Sequence, residues 1–131
     1  MASVRKEVVI QAEPDDVWAA LRDWAFPHTR LVPGFVVQTR LDGEDRLVTF
    51  FNGITVREVL VDLDEGARRL VWTVADGPYR HHNASAQVLA NGDDRTRFVW
   101  VADFLPHELA GPMAEMMELG IQTVKATREA S

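Results

Sequence analysis

PHELAGPMAEMMELGIQTVKATREA, residues 106–130, is the stretch on which the fold turns. No other segment can form a long helix, and it closes a chain that otherwise reads almost entirely as strands. Leu109, Met113, Met116, Gly120 and Val124 recur at three- and four-residue steps, so they share one helix face. That face carries two flexible thioethers and, at Gly120, no side chain at all. A face built only for tight packing favours Leu or Ile with fixed rotamers, whereas Met adapts to irregular contacts. The simpler alternative is that Met and Gly fill an ordinary core. Pro112 after Gly111 predicts that the helix proper begins there, with residues 106–111 a separate lead-in turn.

Upstream of this helix the punctuation is that of strands at short intervals. Residues 35–41 precede the turn Asp42-Gly43-Glu44, and residues 46–51 precede Asn52-Gly53, the strongest two-residue hairpin signal available because both residues tolerate positive φ. Residues 54–63, 69–75 and 82–89 are separated by turns at Glu65-Gly66-Ala67 and Asp76-Gly77-Pro78 and closed by Asn91-Gly92-Asp93; residues 96–105 form the last strand. Consecutive strands joined by tight turns pair antiparallel. A curved antiparallel sheet then has one apolar face to cover, and the terminal helix is the obvious cover.

The opening of the chain differs. Residues 4–11 alternate in the manner of a first strand. Ala12-Glu13-Pro14-Asp15-Asp16 reads as a helix start, with proline in the first turn and acids at the positive end of the dipole. Val17, Trp18, Ala20, Leu21 and Trp24 give that helix an apolar side. Pro27 interrupts it, and residues 26–34 read as a second short helical turn ended by Pro33-Gly34.

Composition narrows the function classes. A chain of 131 residues with 47% hydrophobic and 26% charged residues reads as one soluble domain, residues 1–131. No apolar run approaches the roughly 20 residues of a membrane helix, and the first residues lack the apolar core of a secretory signal. The absence of cysteine removes disulfides, thiolate metal sites and thiol nucleophiles, and cytoplasmic residence is the default expectation. A net charge of −6 argues against nucleic acid as a partner. The histidines show no metal-ligand spacing, since adjacent His81 and His82 point to opposite faces of a strand. No metal and no cofactor are expected.

AEPDDVW at 12–18, VREVL at 56–60, LDE at 63–65 with RRL at 68–70, and DGP at 76–78 carry a resemblance, in combination, across essentially the whole chain. The order of elements and these motifs resemble the helix-grip fold of the START-like (SRPBCC) superfamily, in particular its polyketide cyclase/dehydrase and lipid-transport branch. The resemblance implies an α+β fold in which a curved seven-stranded antiparallel sheet wraps around the long C-terminal helix, with two short helices after strand 1. It also implies a hydrophobic cavity between sheet and helix, reached past the turns at Phe51-Asn52-Gly53 and at residues 76–80. Members of that superfamily bind lipids, sterols, hormones or polyketides, and some catalyse cyclisation or dehydration. The stress-hormone receptors present a cation to the ligand acid from the strand near Val36; no lysine stands there, and their proline-rich gate is missing.

Strand alternation sorts the candidate side chains. With Val56 and Leu60 facing the cavity, Glu58 faces it too, as it does by resemblance to the receptors. Leu70, Trp72, Val74 and Asp76 share a face, with Asp76 at the rim, and His82, Ala84, Ala86 and Val88 share the next. Two inward alanines leave space. On the last strand Val99, Val101, Asp103 and Leu105 are expected inward; the opposite parity buries Phe98 and Trp100 instead. Phe51 and Tyr79 stand at the gates and Trp72 on the wall, with Met113, Met116 and Gly120 supplying the helix side. Glu58 and Asp103 would then be two carboxylates in an apolar pocket, with His82 as a proton carrier at its mouth, an arrangement able to move protons in cyclisation or dehydration. The plainer reading is that these groups orient a small hydrophobic or aromatic ligand held as by a carrier or sensor. Outward Trp100 and Phe98 would mark a protein-interaction or homodimer surface.

Overall fold

The computed structural model of the chain describes residues 2–131. Strand β1 (Ala2–Ile10) leads into helices α1 (Pro14–Arg22) and α2 (Pro27–Arg30). Six strands follow, β2 (Val36–Asp42), β3 (Asp45–Phe50), β4 (Thr55–Asp64), β5 (Arg69–Val74), β6 (His81–Ala90) and β7 (Thr96–Leu105). A 3₁₀ turn at His107–Leu109 then introduces α3 (Ala110–Glu129), which starts two residues before Pro112. This is the helix-grip architecture: a seven-stranded antiparallel sheet around a long C-terminal helix, with two short helices after the first strand.

The sheet order is β1-β7-β6-β5-β4-β3-β2, so the first two strands lie at opposite edges. The α1–α2 segment must therefore cross the whole sheet between them. It does so with Val17, Trp18, Ala20 and Leu21 buried beneath it. Pro14, at the start of α1, lacks an N–H that would have gone unpaired there, and its fixed φ suits the first turn. At the other edge α3 runs beside β1. Lys125 Nζ donates to the Val9 carbonyl at 2.7 Å, and the Gln11 N–H donates to Glu129 Oε2 at 2.8 Å. These bonds engage backbone groups beside an edge strand that would otherwise stand open.

Two irregularities shape the curve. Register shifts between Val36 and Gln38 on β2 and between Leu60 and Asp62 on β4. Each inserts an unpaired residue, bends its strand and raises the local twist. After the second, Leu63 pairs with Leu70 and returns to the concave face.

The last strand takes the parity opposite to the one expected. His82 pairs with Phe104, Ala84 with Ala102, Ala86 with Trp100 and Val88 with Phe98. Those partners share the concave face, while Val101 and Asp103 point out of it. Magnitudes explain the choice. Each aromatic buries about 150–250 Å², worth roughly 25 cal/mol per Å², so Phe98, Trp100 and Phe104 outweigh Val99, Val101 and Leu105. Turning the strand this way also leaves Asp103 outside the core. Ala84 is consequently packed in the core, whereas Ala86 keeps open space above it, and Phe98 and Trp100 do not form an outward surface for a partner.

On α3 the buried positions are Met117, Gly120, Ile121 and Val124. Met113 and Met116 are partly buried at the edge of the core. Gly120 is required by a close approach: a Cβ there would lie 2.7 Å from Trp100 Cζ3 and 3.1 Å from Phe35 Cε2. The helix thus rests directly on two aromatic rings. No helix among the described residues is long and apolar enough to cross a membrane.

Candidate ligand-binding site

Between the α1–α2 crossover and the concave face of β3–β7 lies a cavity of about 80 Å³. Leu21, Pro27, Leu31 and Val32 roof it, and Phe35, Val36, Val48 and Phe50 form one end. Leu70, Trp72, Ala86, Phe98 and Trp100 make the floor, and Val124 is the residue α3 contributes. Charge enters this apolar lining through Arg46 and Glu58.

Those two residues are directly opposite each other on β3 and β4, and each is 7% exposed. Arg46 Nε and Nη2 both lie 2.8 Å from the same oxygen, Glu58 Oε1. Arg46 Nη1 donates to the Trp24 carbonyl at 3.1 Å, and its guanidinium sits 3.8 Å above the centre of the Trp24 ring. Burial pushes the Arg46 guanidinium down from its usual value, with the Glu58 carboxylate opposing the shift. An arginine starts so far above neutrality that it stays charged. The result is an ion pair whose charges cancel within the cavity wall. Glu58 Oε2 accepts no hydrogen bond from any described residue.

Sequence alternation placed Glu58 correctly and did not find its partner. A two-residue turn at Asn52-Gly53 would set Arg46 opposite Val59. The loop instead holds three residues, 51–53, with Phe50 N–H donating to the Ile54 carbonyl at 2.9 Å. That single extra residue brings Arg46 into register with Glu58. The crossover residues of the roof were missed for a different reason: their sequence announces a short helical turn but not what it covers.

The second polar group expected at the site, His82, is 8% exposed and lies outside this cavity. The Val74 N–H donates to its Nδ1 at 3.1 Å, and the Tyr79 ring packs 4.8 Å from it. Burial, with a smaller contribution from the His81 charge, brings its pKa down to about 4, so it is neutral at physiological pH. The Tyr79 hydroxyl donates to Met113 Sδ at 2.9 Å, and burial followed by the Glu58 charge pushes that phenol up. Tyr79 therefore fills the volume in front of His82.

The other expected site residues divide plainly. Trp72 and Ala86 line the cavity. Val56, Leu60, Met113 and Met116 pack against the core without lining it, as do buried Ala84 and Gly120. Val74 is half-buried between Glu58 and His82. Asp76 is exposed, and its carboxylate accepts the Arg57 N–H at 2.9 Å, so it ties down the end of β4. Phe51 is half-exposed and leans on Phe35, ring centres 6.0 Å apart, which fits a residue at the rim. Val101 and Asp103 are corrected: both face away from the concave side, so no pair of carboxylates meets in the cavity. Trp100, expected on the outer face, is a wall of it, tilted against Trp72 with ring centres 6.5 Å apart. Its Nε1 is buried without an acceptor. Among the described residues no three His, Asp or Glu groups converge as a metal site would require.

The chain matches a family model described as polyketide cyclase/dehydrase and lipid transport over residues 1–128. It is similar in fold to a protein from Thermobifida fusca solved by solution NMR, with 30% identity, 99% of this chain and 91% of that chain covered, and a TM-score of 0.79. A crystal structure of a protein from Bacillus thuringiensis superposes with a TM-score of 0.87 at 15% identity, over 95% of this chain and 97% of the other. The di-domain ARO/CYC BexL of the BE-7585A biosynthetic pathway superposes at 0.83 with 11% identity, over 97% of this chain and 46% of its own. A search of curated protein sequences finds no match.

Proposed function

The chain belongs to the polyketide cyclase/dehydrase and lipid-transport family, and from that premise we propose that it binds a small hydrophobic or aromatic molecule in its cavity, as a carrier or sensor. The observation that carries this reading is the cavity itself, an apolar hollow whose charged wall residues neutralise each other. Ligand sites are typically apolar with a few fixed polar groups. At about 80 Å³ the hollow is below the usual 300–1,000 Å³ of a drug-sized pocket, so a large ligand would have to displace wall side chains.

A cyclase or dehydratase working through Glu58, Asp103 and His82 needs those groups around one substrate. Asp103 lies across the sheet from Glu58, Glu58 is held by Arg46, and Tyr79 covers His82. The binding reading is therefore the stronger one. The net charge of −6 supports a protein without a nucleic-acid partner.

The test is a thermal-shift screen of the purified protein against single-ring aromatics, lipids and aromatic polyketides, with native mass spectrometry for co-purified ligand. A rise in Tm with at least one apolar compound, lost when Trp72 or Phe35 is changed, is the expected result. No stabilisation by any apolar compound would overturn the proposal.

A further inference from the structure

Building on the binding reading above, we infer that the ligand is compact, uncharged and hydroxylated, and that its hydroxyl donates to Oε2 of Glu58. Charge balance comes first. Arg46 and Glu58 face the cavity as one positive and one negative group, both buried and in direct contact. A carboxylate ligand would give two negative charges to one positive in an apolar enclosure, and an ammonium ligand the reverse. Either leaves a charge uncompensated away from water, which costs several kcal/mol. A neutral molecule leaves the balance intact.

Hydrogen-bond geometry then selects among neutral molecules. Both Arg46 contacts fall on Oε1. Oε2, on the same cavity-lining carboxylate, accepts nothing from the described residues, although an ionised carboxylate has about four acceptor sites. A ligand hydroxyl that reaches Oε2 makes a charge-assisted bond there, roughly twice as strong as a neutral one. A ligand with only acceptors meets the carboxylate with repulsion. Sites built to bond a hydroxyl reject the analogue that lacks it far more strongly than apolar pockets tell methylenes apart.

Size sets the last limit. A dry cavity of about 150 Å³ is known to admit benzene, and this one is about 80 Å³. Trp100 cannot retreat toward α3, because its ring already touches the backbone at Gly120. A single ring with one hydroxyl is the largest aromatic that small side-chain adjustments would accommodate.

Phenol and toluene have nearly the same shape and differ in the hydroxyl, so they make the decisive pair, with benzoate and benzylammonium as the charged arms. Titrations followed by ¹H–¹⁵N NMR, including the indole N–H signals of Trp72 and Trp100, give both affinity and location. In the wild type phenol is expected to bind at least tenfold more tightly than toluene, with neither charged probe shifting the cavity signals. In the double variant Arg46→Met/Glu58→Leu, whose apolar pair replaces the ion pair without leaving a lone charge, the order should invert. Equal binding of phenol and toluene to the wild type, or preference for either charged probe, would overturn the hydroxyl inference and leave the cavity reading standing. No cavity shift with any probe at millimolar concentration would overturn both.

Discussion

The backbone of Gly120 lies against the benzo edge of Trp100, so closely that a methyl group on Gly120 would come within 2.7 Å of Cζ3. Helix and sheet are in contact here with nothing between them, and the same indole also lines the cavity. Gly120→Ala gains up to about 1 kcal/mol of helix propensity but overpacks the contact, at about 1–3 kcal/mol. A net loss near 1 kcal/mol is expected from denaturant unfolding. Combined with Trp100→Phe, which removes the clashing edge, Gly120→Ala should become neutral or stabilising relative to Trp100→Phe alone. Strict additivity of the two changes would show that they do not touch.

Breaking the Arg46–Glu58 pair should cost more than removing it. Arg46→Met leaves a buried carboxylate without its partner, a change worth about 3–5 kcal/mol. Arg46→Met/Glu58→Leu should lie within about 1–2 kcal/mol of the wild type, since apolar replacements of buried pairs are often neutral. A double variant as unstable as the single one would mean that the ion pair itself organises β3 and β4.

His82 makes stability depend on pH with a definite sign. Its pKa falls from 6.5 to about 4 on folding, so the unfolded chain holds the extra proton between those values. The stabilisation is present in full above about pH 6.5 and is lost as pH falls toward 4, by up to about 3 kcal/mol. Protonation at Nδ1 would also eliminate the acceptor used by the Val74 N–H. His82→Asn keeps a side-chain acceptor and does not titrate. Its pH–stability curve should be flatter than the wild type's across pH 4–6.5, and identical slopes would refute the assignment.

Asp103 should be dispensable for binding. Because it lies on the outer face, Asp103→Ala is expected to change stability by no more than about 0.5 kcal/mol and to leave affinity for phenol unchanged. A tenfold loss of affinity would require the last strand to be turned over.

The sheet and its order were legible because turns announce themselves: Asp42-Gly43, Asn52-Gly53 and Asp76-Gly77 bracket strands that differ from the structure by a residue or so at either end. The face of β7 was not, because Phe98 and Trp100 and their neighbours Val99 and Val101 are all apolar. Period-two alternation is silent when both registers are hydrophobic. Glu58 was legible from Val56 and Leu60 on either side of it. Arg46 was not, since a one-residue difference in loop length decides which face it takes. The position of the cavity depended on residues 27–36, whose covering role exists only once the chain has crossed the sheet.

That crossing has a kinetic consequence. The first strand waits long for a neighbour, because among the described residues its strand partner is β7, the last of the seven in chain order. The helix that closes its other side comes later still. A meander from β2 to β6 can assemble by local hairpins as it emerges, but the N-terminal segment must wait for the C-terminal one, so the closing step carries the largest loop-closure entropy in the molecule. Contacts of that range put such a fold among the slower small domains, in the millisecond-to-second regime. The ligand hollow, roofed by the segment that follows β1, is completed in the same late event.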